Sequence, residues 1–288
     1  MIERDRYLHS GSARLRFRDE GSGPPLVLMH GWALDLDMWE PQFARLTGRF
    51  RVIAFDRRGF GLSSGEPDVD EDVVDLGRLL DALAIARAGV VGMSQGARVA
   101  LGFAARHPTR VSGLVLDGPP DPEAANADGS GEEVPIAGYR GLVQREGMGA
   151  FRQEWLRHPF TSLQTSDARM RALLLRIVAR YPGHDLRAPD AGAASVAIGF
   201  ADATLNSARL RLKDVSVPTL VINGELDTEQ RRAAGAALAR RLPEARHALV
   251  AAAGHLPNLD NPGAYDELLA AFLRAQEQIP ARAARRAH

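Results

Sequence analysis

Short apolar runs recur along the chain, and the stretches between them return apolar residues at helical spacing. The runs are PLVLMH at 25–30, RVIAFD at 51–56, AGVVGM at 88–93, VSGLVLDG at 111–118, PTLVINGE at 218–225 and RHALVAAAG at 246–254. Each is short and rich in β-branched or aliphatic residues, as strands buried on both faces are. Strands alternating with helices predict a mostly parallel, doubly wound α/β sheet covered on both faces. In 70–85, Val73, Val74, Leu76, Leu80 and Leu83 fall close to one stripe behind acids that suit a helix N-terminus. In 262–275 a proline opens the segment, and Leu268, Leu269, Phe272 and Leu273 share a side. Residues 7–19 read as two short strands around a Ser-Gly-Ser turn, an antiparallel edge.

The alternation breaks after the fourth run. Residues 121–133, DPEAANADGSGEE, are polar and turn-rich, and 138–210 read as mostly helical before strand-like segments resume at Val215. The expected organisation is one core from 1–120 and 211–288, with a helical lid inserted at 121–210. The tail IPARAARRAH is expected to be frayed beyond the last helix.

Composition narrows the chemistry. With no cysteine among 288 residues, disulfides, thiolate nucleophiles and thiolate metal sites are excluded. Lysine plus arginine (36) equals aspartate plus glutamate (36), and no basic arm or charge block points to nucleic acid or an anionic membrane. The first residues lack an apolar run behind a basic segment, and no stretch approaches the ~18 apolar residues of a membrane span. A cytoplasmic enzyme acting on a small molecule is the simplest expectation; a homodimer is left open.

Two pentapeptides fit the GxSxG pattern of serine hydrolases: GLSSG at 61–65 and GMSQG at 92–96. A serine nucleophile must stand on a tight turn between a strand and a helix, with small residues two before and two after it. GMSQG follows the run AGVV and leads into QGARVALGFAARH, which continues as a helix up to Pro108. GLSSG follows polar DRRGF and precedes Glu66-Pro67. Context therefore selects Ser94 over Ser63. The glycines of GFGLSSG do not fit GxGxxG, so no dinucleotide loop is read there.

Serine needs a general base, normally a histidine oriented by a carboxylate. Of eight histidines, only His255 stands in a loop directly after a late apolar strand. The bland alternative is a loop histidine satisfied by local hydrogen bonds. Asp227, in PTLVINGELDT, is the favoured carboxylate. Asp117 and Glu225 are the other candidates, Asp117 being readable equally as a turn former before Gly-Pro-Pro.

These segments resemble the α/β-hydrolase fold superfamily from about residue 21 to residue 273, outside the lid. The resemblance rests on HGW at 30–32, DRRGFGLS at 56–63, GMSQG, GELD at 224–227 and GH at 254–255, and on the order Ser94, Asp227, His255. HGWALDLDMW and GHLPNLDNP are similar to the bacterial lidded esterase and enol-lactone hydrolase group. The resemblance implies an oxyanion hole from the backbone N–H groups of Trp32 and Gln95, a structural role for DRRGFGLS, and no cofactor or metal. It implies a Ser-His-Asp esterase or lactonase. The alternatives are carbon-carbon bond hydrolysis, cofactor-free perhydrolase or haloperoxidase chemistry on the same triad, or a ligand-binding receptor with residual catalysis. In the lid, Trp155, Leu156 and Phe160 are candidates for an apolar substrate pocket or for anchors on the core. Arg140, Arg145, Arg152 and Arg157 are candidates for holding a substrate carboxylate or for a solvated face.

Overall fold

The computed structural model describes residues 4–120, 134–187 and 212–286. Its strands are β1 Arg6–Ser10, β2 Ala13–Glu20, β3 Pro25–Met29, β4 Arg51–Phe55, β5 Ala88–Met93, β6 Val111–Asp117, β7 Thr219–Gly224 and β8 Ala245–Val250. They form one sheet in the order β1-β2-β4-β3-β5-β6-β7-β8. The β1–β2 hairpin pairs antiparallel with itself and with β4, and every later pair is parallel. The expected antiparallel edge is thus present, with the six apolar runs forming the parallel part.

The helices are α1 Glu40–Leu46, α2 Val69–Ala82, α3 Gln95–Arg106, α4 Ile136–Trp155, α5 Ala168–Arg180, α6 His184–Arg187, α7 Glu229–Arg241, α8 Pro257–Asp260 and α9 Pro262–Arg286. Local chemistry sets their ends. Asp68 caps α2 by accepting hydrogen bonds from the Asp70 and Glu71 amides, and Thr228 caps α7 by accepting from Arg231 N–H. Gly147, at φ 80° and ψ 174°, breaks α4 into two pieces. One expectation is corrected: the tail does not leave the last helix after residue 278, since α9 runs on to Arg286. Alanine and arginine, both good helix formers, carry the backbone past Pro280.

Because both faces are covered, alternate strand residues enter different cores. Val27, Ile53, Val90, Leu114 and Val221 pack with Leu76 and Leu80 of α2, Phe103 of α3 and Leu238 of α7. Leu28, Val52, Val91, Val115 and Ile222 pack with Phe43 of α1 and Leu269 and Phe272 of α9. That second core also takes in Phe151 and Trp155 of α4 and Leu173 and Ile177 of α5, from the segment between β6 and β7. The remainder of the expected lid, 121–133 and 188–210, lies outside the described residues. Among the described residues, no helix is long and apolar enough to cross a membrane.

Backbone also meets backbone closely where β5 joins α3. A Cβ on Gly92 would lie 2.2 Å from the Gly96 carbonyl oxygen, and one on Gly96 would lie 2.6 Å from the His30 carbonyl oxygen and 2.8 Å from that of Met29. Only glycine lets the start of α3 sit directly on the end of β3. Gly96→Ala is expected to lower stability by about 1–3 kcal/mol through overpacking. Gly149→Ala, in the exposed second piece of α4 with nothing within 4 Å of the new Cβ, is expected to raise it by about 0.5–1 kcal/mol. Urea unfolding of the two variants checks both signs.

Candidate active site

The turn between β5 and α3 carries Ser94 at φ 52° and ψ −115°. A non-glycine residue there costs about 1–3 kcal/mol and persists only where its surroundings over-determine it. Here the glycine contacts fix the turn from both sides, and Ser94 N–H donates to the Asp117 carbonyl at 2.7 Å. The hydroxyl therefore stands at the carboxyl ends of the parallel strands, ahead of the first turn of α3.

His255 follows the loop after β8, and its Nε2 lies 3.2 Å from Ser94 Oγ. Its Nδ1 lies 3.0 Å from Asp227 Oδ2 and 3.2 Å from Oδ1. An ionised carboxylate only accepts, so Nδ1 carries the proton and donates to Asp227, leaving Nε2 to accept from the Ser94 hydroxyl. All three side chains are nearly out of solvent, at 7%, 3% and 5% exposed for Ser94, His255 and Asp227. Asp227 is held in turn by Thr228 N–H, 2.8 Å from Oδ1. Burial pushes its carboxyl up, but the His255 imidazole and the Thr228 amide bring it below its ordinary value. The carboxylate thus stays charged beside the ring it orients.

The other carboxylate candidates are engaged differently. Glu225 accepts from Ala252 N–H at 3.2 Å. Asp117 is fully buried, and burial together with the Asp227 charge raises its carboxyl well above the usual range. Phe160 lies nearly parallel to His255, with ring centroids 3.9 Å apart and planes at 23°. Asp260 has one oxygen on Gly254 N–H at 2.8 Å and the other on the amides of Gln164 and Thr165 at 2.6 and 3.1 Å. It ties the residue before His255 to the chain after Thr161. Sequence reasoning quoted Asp260 inside GHLPNLDNP without a role, because a carboxylate bonding to backbone leaves no side-chain partner to look for.

The HGW loop closes the other side of the serine. A Cβ on Gly31 would lie 3.2 Å from Ser94 Cβ, so glycine permits the approach. His30 is fully buried, its Nδ1 donating to the Gly31 carbonyl at 2.7 Å and its Nε2 accepting from Arg57 N–H at 2.9 Å. Burial, reinforced by the Arg57 charge, holds it well below its ordinary pKa and hence neutral. Gly31, Trp32, Leu34, Met93, Val134, Trp155, Phe160, Thr161 and Leu256 line the space beside Ser94 and His255. Its cavity volume is about 10 Å³, room for roughly one water molecule. Trp155 and Phe160 line this space and are also part of the apolar core, whereas the four arginines do not line it. Arg140 donates to the Asp185 carbonyl at 3.1 Å, Arg152 to the Tyr181 carbonyl at 3.0 Å and Arg157 to Glu154 at 3.3 Å, while Arg145 is exposed.

GLSSG has a different place. Ser63 Oγ donates to the Asp56 carbonyl at 2.7 Å and accepts from Arg16 N–H at 2.9 Å. The Asp56 carboxylate accepts from the amides of Leu36 and Leu62 at 2.7 and 2.8 Å. The segment pins the chain leaving β4 to β2 and to the loop after β3. Among the described residues, no cluster of three or more His, Asp or Glu could hold a metal.

A strand-ending serine on a strained turn, backed by a histidine and a carboxylate, defines a recognisable class of sites. The chain belongs to the alpha/beta hydrolase fold family, whose model matches residues 24–262. It is 27% identical over 282 residues to the pimeloyl-[acyl-carrier protein] methyl ester esterase of Nitrosospira multiformis, covering 92% of this chain and 100% of that protein. Among solved structures it is similar to the enol-lactonase of Burkholderia xenovorans LB400, with 26% identity, a TM-score of 0.73, and 93% and 100% of the two chains covered. It is also similar to a thermophilic esterase from Thermogutta terrifontis, crystallised with malate, with 27% identity, a TM-score of 0.74, and 94% and 98% covered.

The two hydrogen bonds of Ser63 are structural, so Ser63→Ala is expected to lower unfolding stability by about 1–3 kcal/mol. Turnover per folded molecule should stay at the wild-type level, as checked by urea unfolding alongside an activated-ester assay.

Proposed function

We propose that the chain is a serine-dependent hydrolase of a carboxylic ester or lactone, working through Ser94, His255 and Asp227. The observation that carries this reading is the unbroken hydrogen-bond chain from Ser94 Oγ through the His255 ring to the Asp227 carboxylate. The curated relative and the two solved neighbours, named as esterases and a lactonase, support it.

The chemistry follows from the order of donors. As Ser94 Oγ attacks the substrate carbonyl, its proton passes to His255 Nε2, and Asp227 stabilises the imidazolium that results. Charge collects on the carbonyl oxygen, and the backbone N–H groups of Trp32 and Gln95 stabilise it, each worth about 2.7–4 kcal/mol. His255 returns the proton to the leaving alcohol, and an acyl-enzyme remains. His255 then takes a proton from water, the hydroxide so formed attacks the acyl carbon, and His255 returns the proton to Ser94 Oγ as the bond to the acid breaks. The Phe160 ring, stacked on His255, limits the imidazole's rotation.

The walls select the substrate. Among the described residues they carry aliphatic and aromatic side chains with Thr161, and no charged group besides the triad's own, so a small, uncharged acyl part fits them. The helices between β6 and β7 act as a lid, because Trp155 and Phe160 reach the site from there. Anything longer than a few heavy atoms has to displace them.

A panel of nitrophenyl esters of increasing acyl length, with simple lactones, tests both statements. Wild type is expected to turn over the short members and Ser94→Ala none of them, with a loss of roughly 10⁴-fold or more. Trp155→Ala should move the optimum to longer acyl chains. Turnover surviving in Ser94→Ala would overturn the reading.

A further inference from the structure

The Gly31–Trp32 peptide is held at its carbonyl, and the Trp32 side chain at its indole nitrogen, each by a residue outside the HGW loop. The Gly31 carbonyl accepts from Arg57 Nη2 at 3.3 Å and from His30 Nδ1 at 2.7 Å. The same Arg57 Nη2 donates to Gln95 Oε1 at 2.6 Å, and Arg57 Nη1 donates to Asp72 at 3.0 Å. The Trp32 indole Nε1–H donates to Asp185 Oδ2 at 2.6 Å. Asp185 also accepts the Tyr181 hydroxyl, and both residues are buried.

A trans peptide is planar, so its C=O and N–H point in opposite directions. Fixing the Gly31 carbonyl toward Arg57 turns the Trp32 N–H away from Arg57. Rotation of that plane about its Cα–Cα axis would still tilt the N–H, and the Trp32 side chain is the lever that resists it. The indole is wedged against Trp155, Phe151 and Tyr181, with centroids at 5.0, 5.7 and 5.7 Å. Such ring contacts permit sliding, whereas a hydrogen bond to a buried carboxylate has one position.

We infer that Asp185 is a positioning residue for the oxyanion hole: through the Trp32 indole it sets the direction of the Trp32 N–H, so that the donor is aligned only while α6 is docked. This rests on the proposed reaction at Ser94. It makes acyl transfer depend on a residue 153 positions along the chain from the one it orients. Asp185 touches neither the substrate space nor the triad.

The test compares an ester with its thionoester, whose C=S sulfur is larger and a weaker hydrogen-bond acceptor and so gains less from aligned donors. Asp185→Leu, which removes the acceptor at similar volume, is expected to lower kcat on the ester by about ten- to a hundredfold with KM little changed. The thionoester should lose much less, so the ester-to-thionoester rate ratio falls. Trp32→Phe, which keeps an aromatic ring and the backbone amide but removes the indole donor, should lower the same ratio, and adding Asp185→Leu to it should lower it no further. Tyr181→Phe, which removes the other bond to the same carboxylate, should leave the ratio at the wild-type value. An unchanged ratio in Asp185→Leu overturns the proposal. If that variant does not fold, an unchanged ratio in Trp32→Phe overturns it equally. Failure of the underlying reading is distinguishable, since Ser94→Ala would then keep its turnover.

Discussion

The site depends on the close approach of three backbone segments at the carboxyl ends of β3 and β5. Gly92 lies under Gly96, and Gly96 lies against the last carbonyls of β3. With no side chains between them, α3 begins at once and Ser94 is driven into a left-handed conformation that serine does not choose. The same contact brings Gly31, one residue past β3, against the Ser94 side chain. A strained serine, its helix and the HGW loop are therefore one packing solution. Adding a methyl group anywhere in it would separate all three.

Around that point the molecule spends buried charge on backbone. Asp56 gathers two amides from the loops after β3 and β4, Asp260 gathers three across α8 and the chain after Thr161, and Arg57 joins the Gly31 carbonyl to the Gln95 side chain. Carboxylates and guanidinium groups removed from water must find partners, and here the partners are the loops that carry the reacting groups. Loops that would otherwise have several conformations are thereby held in one. Preorganisation of this kind lets donors stabilise a developing oxyanion without reorganising.

Much of this was legible in the sequence, for identifiable reasons. The six runs became the parallel strands because residues buried on both faces leave an unbroken apolar signature, and the hairpin at 7–19 announced itself by alternation around a turn. Strand-turn-helix context separated Ser94 from Ser63, and the structure gives Ser63 a backbone-anchoring place instead. Ser94, Asp227 and His255 were expected together and lie within hydrogen-bond reach. Less legible were groups defined only by long-range contact: Asp185 on the Trp32 indole, Arg57 on Gly31 and Gln95, and Phe160 flat against His255. Each joins residues far apart in the chain, and no local periodicity marks them. The tail misled because chain termini commonly fray, whereas the last helix continues to Arg286.

The central claim is that Ser94 is the nucleophile of an acyl-transfer site. It is tested most directly by reacting the protein with a fluorophosphonate, mapping the adduct by peptide mass spectrometry, and following ester turnover in the same sample. The account predicts one adduct, on Ser94, with turnover lost in proportion to labelling. An adduct on Ser63, or complete labelling of Ser94 with turnover intact, would contradict it.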